Sequence, residues 1–277
     1  MFAVKNFCNI KIFIFHFRPS PILSKGEEMV NLLVGNQNRP AEHGFKTDDT
    51  GDNISAKNKY YSELTGLYWI WKNENSDIIG STHYRRHFTA VSEPFFYKLK
   101  RLSYYLIGLH KKRFGLIYTG NPKFWEEKIL SPAEIKEILN EYEAIMPTRR
   151  KFKYSIKEHY RRYHNLEDLK AIERILKEDY PAYMTSFEKV LEGNRLFANN
   201  MFILKYDAFN ELMTWLFDIL FKLEKAFDLH KYTGYQERIF GFLSERLITI
   251  WIEHHQINYR ELPLIYFKKF KKMKSLK

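Results

Sequence analysis

Residues Asp49 to Phe88 read as a polar turn, an aromatic helix and a short apolar strand that stops at His83-Tyr84-Arg85-Arg86-His87. Asp52, Asn53 and Ser55 are residue types whose side chains cap the free amides of a helix start. Tyr60, Leu64, Leu67, Tyr68 and Trp71 recur at three- and four-residue steps, which gives the helix one apolar side. The polar run Asn73–Ser76 ends it, and Asp77-Ile78-Ile79-Gly80-Ser81 predicts a short buried strand. In open α/β sheets, ligands bind outside the carboxyl ends of such strands. Two adjacent arginines and two histidines delivered there are poor core material but suit phosphates, because arginine offers planar paired donors and keeps its charge. The competing reading is a solvated surface pair or a salt-bridge partner.

The rest of the chain fits the same α/β order. Lys11-Ile12-Phe13-Ile14-Phe15, within Ile10–Phe17, predicts a first strand that runs into His16, Arg18 and Pro19. Val30–Val34 predicts a second, closed by Gly35-Asn36-Gln37-Asn38. Residues 36–53 are rich in Asn, Asp and Gly, as in a loop that lines a site or moves. Ser131-Pro132-Ala133-Glu134 is a helix start with Pro in the first turn, and its helix should end before a strand at Ala144–Pro147. One long amphipathic helix is expected over Ser155–Lys177, then a strand over Leu196–Leu204. Helices are expected over Ala208–Phe227 and Gln236–Ile252. No repeat or linker interrupts the order, so one domain is expected over 1–265, with a basic tail at 266–277.

Composition narrows the function classes. A chain of 277 residues with 23 Phe and 19 Tyr can fill a core without staples. A single cysteine, Cys8, excludes an internal disulfide framework and suits a reducing compartment. No C-x-x-C or H-E-x-x-H spacing marks a zinc site. The net charge of +12 invites an anionic partner. No zinc finger, RNP-like motif or helix-turn-helix points to specific nucleic-acid binding. Much of the surplus lies in Lys98–Arg113 and in the tail Lys268–Lys277, where cations mix with Phe, Leu, Met and Tyr, as on proteins that meet an anionic membrane surface; a merely solubilising end is the alternative for the tail. No stretch is long enough to span a bilayer and no signal peptide is recognisable. The expected place is therefore the cytoplasm, on or near the inner face of the membrane.

The blocks GDNISAKNKYYSELTGLYWIWKN and DIIGSTHYRRHF, with His159-Tyr160, His164, Asn199-Asn200-Met201-Phe202-Ile203 and YQERIFGFLSERL from Tyr235, carry a resemblance. Over roughly residues 10–252 the chain resembles a family of bacterial capsular-polysaccharide synthesis proteins with a GT-A-like nucleotide-sugar-binding fold. Some of these are linked to galactosyl or galactofuranosyl transfer. The resemblance implies a mixed α/β sheet flanked by helices, a UDP-sugar donor, and a saccharide or lipid-linked acceptor in capsule, exopolysaccharide or lipopolysaccharide synthesis. It also puts Asn199 and Asn200 where such enzymes line a sugar pocket, although amides before a strand equally often close a turn.

Many GT-A enzymes hold a divalent metal through Asp-x-Asp at a strand end. Here that position carries His83-Tyr84-Arg85-Arg86, so fixed cations are expected to replace the metal at the departing diphosphate. Asp48, Asp49 and Asp52 keep Mn or Mg open as an alternative. The expected donor-binding set is His16, Asp49, Asp52, Asn53, Lys57, His83, Tyr84, Arg85 and Arg86, with Asn199, Asn200 and Arg238 toward the acceptor. Base candidates are Glu237 and Glu245, eight residues apart on one expected helix and so near one face, against the alternative of internal pairs with Arg238 and Arg246. His159 and His164, five apart, read as structural rather than as metal ligands, and Trp69, Trp71, Trp215 and Trp251 as core. The alternative function is a non-catalytic, basic carbohydrate- or nucleic-acid-binding protein on the same fold.

Overall fold

The computed structural model describes residues 9–23, 26–36, 42–106 and 115–268. Cys8, Gln37, Asn38, the end of the basic stretch and the tail beyond Lys268 lie outside the described residues.

Strand β1 (Ile10–His16) is buried at every position but Lys11, because it has parallel neighbours on both sides. One neighbour is β2 (Met29–Leu33), with β3 (Lys46–Thr47) beyond it. A 3-10 turn at Ser55–Lys57, helix α1 (Asn58–Tyr61) and helix α2 (Leu64–Asn73) then lead to the other neighbour, β4 (Ile78–His83). Strand β4 runs two residues past the expected Ser81. Glycine allows two close contacts here. A Cβ on Gly66 would sit 2.7 Å from Val34 and 2.8 Å from Phe15, so α2 packs directly on the sheet. One on Gly80 would sit 2.6 Å from Ile12, where Ile12 closes over β4.

A two-residue turn carries β4 into β5 (Arg86–Phe88), followed by α3 (Phe95–Leu106), β6 (Leu116–Thr119), α4 (Pro122–Glu126) and α5 (Pro132–Glu141). Helix α5 begins as its sequence indicates, with a reciprocal Ser131–Glu134 capping box and Pro132 in the first turn. Next come β7 (Ala144–Pro147), β8 (Arg150–Lys151), α6 (Ile156–Tyr163), α7 (Leu166–Asp179), α8 (Met184–Glu192) and β9 (Arg195–Leu196). The chain closes with β10 (Phe202–Lys205), α9 (Tyr206–Ala226), α10 (Ile239–His254), β11 (Tyr259–Leu262) and β12 (Leu264–Phe267).

Four expected elements differ. The helix expected to carry Tyr60 through Trp71 is two, α1 and α2, because Ser62 between them takes a positive φ of 52°. The helix expected over Ser155–Lys177 is two, α6 and α7. His164 is extended, and the Asn165 side chain accepts from the Glu167 amide, so a new N-cap with an acidic first turn stops one helix and starts the next. The strand expected over Leu196–Leu204 shrinks to β9 and β10, because Asn199 and Asn200 take positive φ values of 91° and 50°. The helix expected from Gln236 begins at Ile239, after a 3-10 turn over Gly234–Arg238.

The sheet order is β11-β7-β10-β4-β1-β2-β3, with β5, β12 and β6 joined at the end of β4. Strand β10 is antiparallel to both β4 and β7, so β7 runs with β4. Side-chain alternation divides the core. Phe13, Phe15, Ile79, Met146, Phe202 and Leu204 face α2, α9 and α10. Ile12, Ile78, Ile145 and Ile203 face α5 with Ile135 and Leu139. The architecture is the expected mixed α/β sheet flanked by helices.

Candidate active site

Strands β1, β4 and β7 end on the same edge of the sheet, and the polar residues at their ends meet there. His83 is the last residue of β4 and pairs directly with Arg86 of β5. The turn between them sends the two arginines apart. Arg85 lies over the Tyr84 ring at 5.1 Å, in a ledge where Tyr84 stacks on His16 at 5.5 Å and meets the tilted His83 ring at 4.4 Å, beside Phe17. Arg86 turns instead over Tyr266 of β12, 5.4 Å from its ring, and lines a cleft of about 400 Å³.

The opposite wall comes from three chain segments. Thr148, Arg150 and Phe152 follow β7; Ala198 and Asn199 precede β10; Arg238 ends the 3-10 turn before α10, and Phe242, Glu245 and Arg246 lie on the first half of that helix. Glu63, just before α2, completes it. Glu245 accepts from the Asn199 amide at 2.8 Å and from Arg246 Nη1 at 2.9 Å. Burial pushes its carboxyl up, against the pull of Arg246 and the Asn199 amide, and neighbouring Glu63 adds to the rise. Glu63 accepts from Arg238 at 3.1 Å and from the Asn200 side chain at 2.9 Å. Four arginines (86, 150, 238, 246) against two glutamates (63, 245) leave the lining two positive charges in surplus. Neither Arg86 nor Arg150 has an acidic partner among the described residues, and the Arg86 Nε is buried without a hydrogen-bond acceptor.

His159 stacks on Phe152 at 3.9 Å. Burial, with Arg246 and Arg150 beside it, holds its imidazole down to about 4. His164 donates from Nδ1 to Gln236 at 2.8 Å and is likewise lowered by burial. Both face the cleft although they are five residues apart, because the break between α6 and α7 turns His164 inward.

Residues 11–256 match a family model described as a domain of unknown function, DUF4422. The chain belongs to this family. Its fold also matches the apo structure of WbbM, a bifunctional glycosyltransferase, with a TM-score of 0.81 and 29% identity over 94% of this chain. The match spans 46% of that protein, under half its length. No curated protein matches. The α/β architecture of this DUF4422 member is thus the GT-A-like glycosyltransferase fold its sequence resembles.

Within that fold the expected site residues separate. Arg86, Asn199, Arg238 and Glu245 converge on the cleft, while His83, Tyr84 and Arg85 form the adjoining ledge. Others do not line it. His16 is 1% exposed, donating from Nε2 to Asn31 and accepting at Nδ1 from Ser20, so it supports Tyr84 from beneath. Burial holds its imidazole down to about 4. Lys57 pairs with Glu224 at 2.7 Å, behind the sheet edge. Asn200 is 2% exposed, with its amide committed to Glu63, Gly241 and Ser244. Glu237 sits on the 3-10 turn, off the helix that carries Glu245, and pairs with Lys59 at 3.4 Å.

The acidic loop does not fit a divalent cation. Both carboxylate oxygens of buried Asp48 are surrounded by donors, namely the Gly35 and Asn36 amides and the Ser55 and Thr65 hydroxyls. Asp49 accepts from the Asn36 side chain. Asp52 meets Asn73 at the end of α2 through its backbone, its carboxylate accepts from the Tyr68 hydroxyl at 3.1 Å, and Asn53 closes its own turn through Gly51 and Ser55. Among the described residues no three His, Cys, Asp or Glu side chains converge as metal ligands.

Sequence reasoning missed Glu63, Arg150 and Tyr266. Arg150 was findable, since Arg149-Arg150 follow β7 as Arg85-Arg86 follow β4. Again the pair splits, with Arg149 held by Glu261 at 2.6 Å. Glu63 and Tyr266 carry no local signal; only the tertiary fold brings them to the cleft.

Proposed function

We propose that the chain is a glycosyltransferase of one domain over about residues 1–265. It moves a sugar from a nucleotide donor, UDP-galactose or UDP-galactofuranose foremost, to a polysaccharide or lipid-linked saccharide in capsule, exopolysaccharide or lipopolysaccharide synthesis. The observation that carries this reading is the pair of arginines, Arg86 and Arg150, that form no ion pair among the described residues and face one cleft with a carboxylate of raised affinity for protons. The likeness to the glycosyltransferase WbbM supports the same reading.

The acceptor hydroxyl oxygen forms a bond to the anomeric carbon as the bond from that carbon to the diphosphate oxygen breaks, and the nucleoside diphosphate leaves with the electron pair. Arg86 and Arg150 stabilise the charge that develops on the leaving group, so transfer proceeds with a chelator present. In an inverting course Glu245 takes the acceptor proton, and the Asn199 amide and Arg246 hold the carboxylate in place. The Tyr84 ledge, with Arg85, offers a ring face and a cation beside the cleft for the rest of the nucleotide. A nucleotide-sugar donor and a lone cysteine both suit the cytoplasmic side of the membrane.

The test is turnover of UDP-galactose and UDP-galactofuranose on a lipid-linked galactoside, with chelator, followed by mass spectrometry. The expected product is the acceptor heavier by one hexose. A chain that binds nucleotide but consumes no donor with any acceptor would favour the binding-protein reading.

A further inference from the structure

Nine large apolar side chains stand exposed among the described residues, and four of them are on α3: Phe95 (72%), Phe96 (79%), Leu99 (51%) and Leu102 (52%). At 3.6 residues per turn, Phe95, Leu99 and Leu102 fall within about 60° of one another. Phe96 borders that stripe on one side and exposed Lys98 on the other. The helix sequence FFYKLKRLSYYL holds three cations, Lys98, Lys100 and Arg101, and no acid. Isolated exposed leucines need no explanation, but four large side chains on one short helix do.

An apolar face bordered by Lys98, on a helix with three cations and no acid and on a chain of net charge +12, complements an anionic bilayer in both of its layers. The rings and leucines enter the boundary between headgroups and acyl chains, and the cations meet the phosphates. No helix among the described residues is long and apolar enough to cross a membrane. We propose that α3 lies flat on an anionic phospholipid surface and docks the protein there.

The placement of α3 gives this docking a use. Strand β5, before it, starts at Arg86, and β6, after it, starts at Leu116, and both of those residues line the cleft. A membrane contact made by α3 is therefore joined through β5 to the cleft wall, as an acceptor carried on a lipid requires. That consequence rests on the transferase reading; the docking itself does not.

Co-sedimentation with vesicles tests it without any activity measurement. The full chain should bind equimolar phosphatidylglycerol–phosphatidylcholine vesicles, bind pure phosphatidylcholine at least tenfold more weakly, and release as salt rises. The combined variant Phe95→Ser, Phe96→Ser, Leu99→Ser and Leu102→Ser, melting like the parent because all four are exposed, should lose at least tenfold in partition. Replacing Lys271, Lys272 and Lys274 by Ser should cost at most a few-fold. Undiminished binding by the four-serine variant, or binding abolished by the tail changes alone, overturns the proposal. So does failure of the parent to bind phosphatidylglycerol vesicles. A parent dimer that the four-serine variant converts to monomer, with no vesicle binding by either, would instead mark the face as a contact between copies.

Discussion

Exchanging Glu245 for Gln separates chemistry from structure, because the amide keeps the shape of the side chain and loses its charge. The carboxylate accepts from the Asn199 amide through one oxygen and from Arg246 through the other. A glutamine carbonyl can serve only one of these donors. Arg246 is 2% exposed, and a buried charge stripped of its partner costs about 3–5 kcal/mol. Arg246 also donates to the Phe242 carbonyl at 2.8 Å and lies over the Tyr160 ring, so the loss should fall to about 2–3 kcal/mol, or roughly 4–10 °C in melting temperature. Removing a general base lowers turnover by about 10²–10⁴-fold, which is about 3–5 kcal/mol of barrier. The nucleotide should bind within about threefold of the parent, a difference under about 1 kcal/mol.

Burial also dictates the pH profile of that reaction. Burial holds the carboxyl above the ordinary carboxylate range, so the acid limb of kcat/KM should lie above that range. Stopped assays of product, with isothermal titration of the nucleotide, separate the three effects. A folded Glu245→Gln variant with turnover within about threefold of the parent would refute the assignment. An acid limb at the ordinary carboxylate value would refute the account of its tuning.

Three further outcomes follow from the same contacts. Glu237→Gln removes only a partly exposed pair with Lys59, and turnover should stay within about threefold; a collapse in rate would return Glu237 to the site. Asp48→Ala strips the acceptor from two backbone amides and two hydroxyls, and denaturant unfolding should show a loss of about 3–5 kcal/mol; under 1 kcal/mol would contradict the anchoring role. His16 and His87 are both buried and held down to about 4, so the unfolded chain binds their protons first. Stability should therefore fall as pH drops from about 6.5 toward 4, by on the order of 3 kcal/mol for each histidine; a flat unfolding free energy across that window would be inconsistent with this.

Local signals in the sequence carried the fold well. The aromatic helix from Leu64, the helix start at Ser131-Pro132 and the apolar runs around Phe13 and Ile79 are short-range patterns, and each became the element expected, whereas Tyr60 fell on a separate short helix before the break at Ser62. The misplaced boundaries lie where a polar side chain outcompeted helix or strand continuation, at Asn165 and at Asn199-Asn200. The candidate site was only partly legible. Strand-end arginines announce themselves, but which member of a pair turns into the cleft is decided by the partner across the sheet. Arg86 meets Tyr266 and Arg149 meets Glu261, contacts that join residues more than a hundred positions apart. Polar residues that bound a site and those that brace it also look alike in sequence. Asn199 and Asn200 are adjacent, yet one lines the cleft and the other is sealed beneath it.

The most direct test of the central claim, that this cleft holds a nucleoside diphosphate on Arg86 and Arg150, is thermal melting with UDP, GDP, CMP and dTDP in chelator. A ligand at a hundredfold excess over its Kd stabilises the folded chain by about 2.7 kcal/mol. The account predicts a selective rise with one nucleoside diphosphate, UDP foremost, that survives chelation and disappears in the Arg86→Ala, Arg150→Ala double variant. A rise that persists in the double variant, or no rise with any nucleotide, would contradict it.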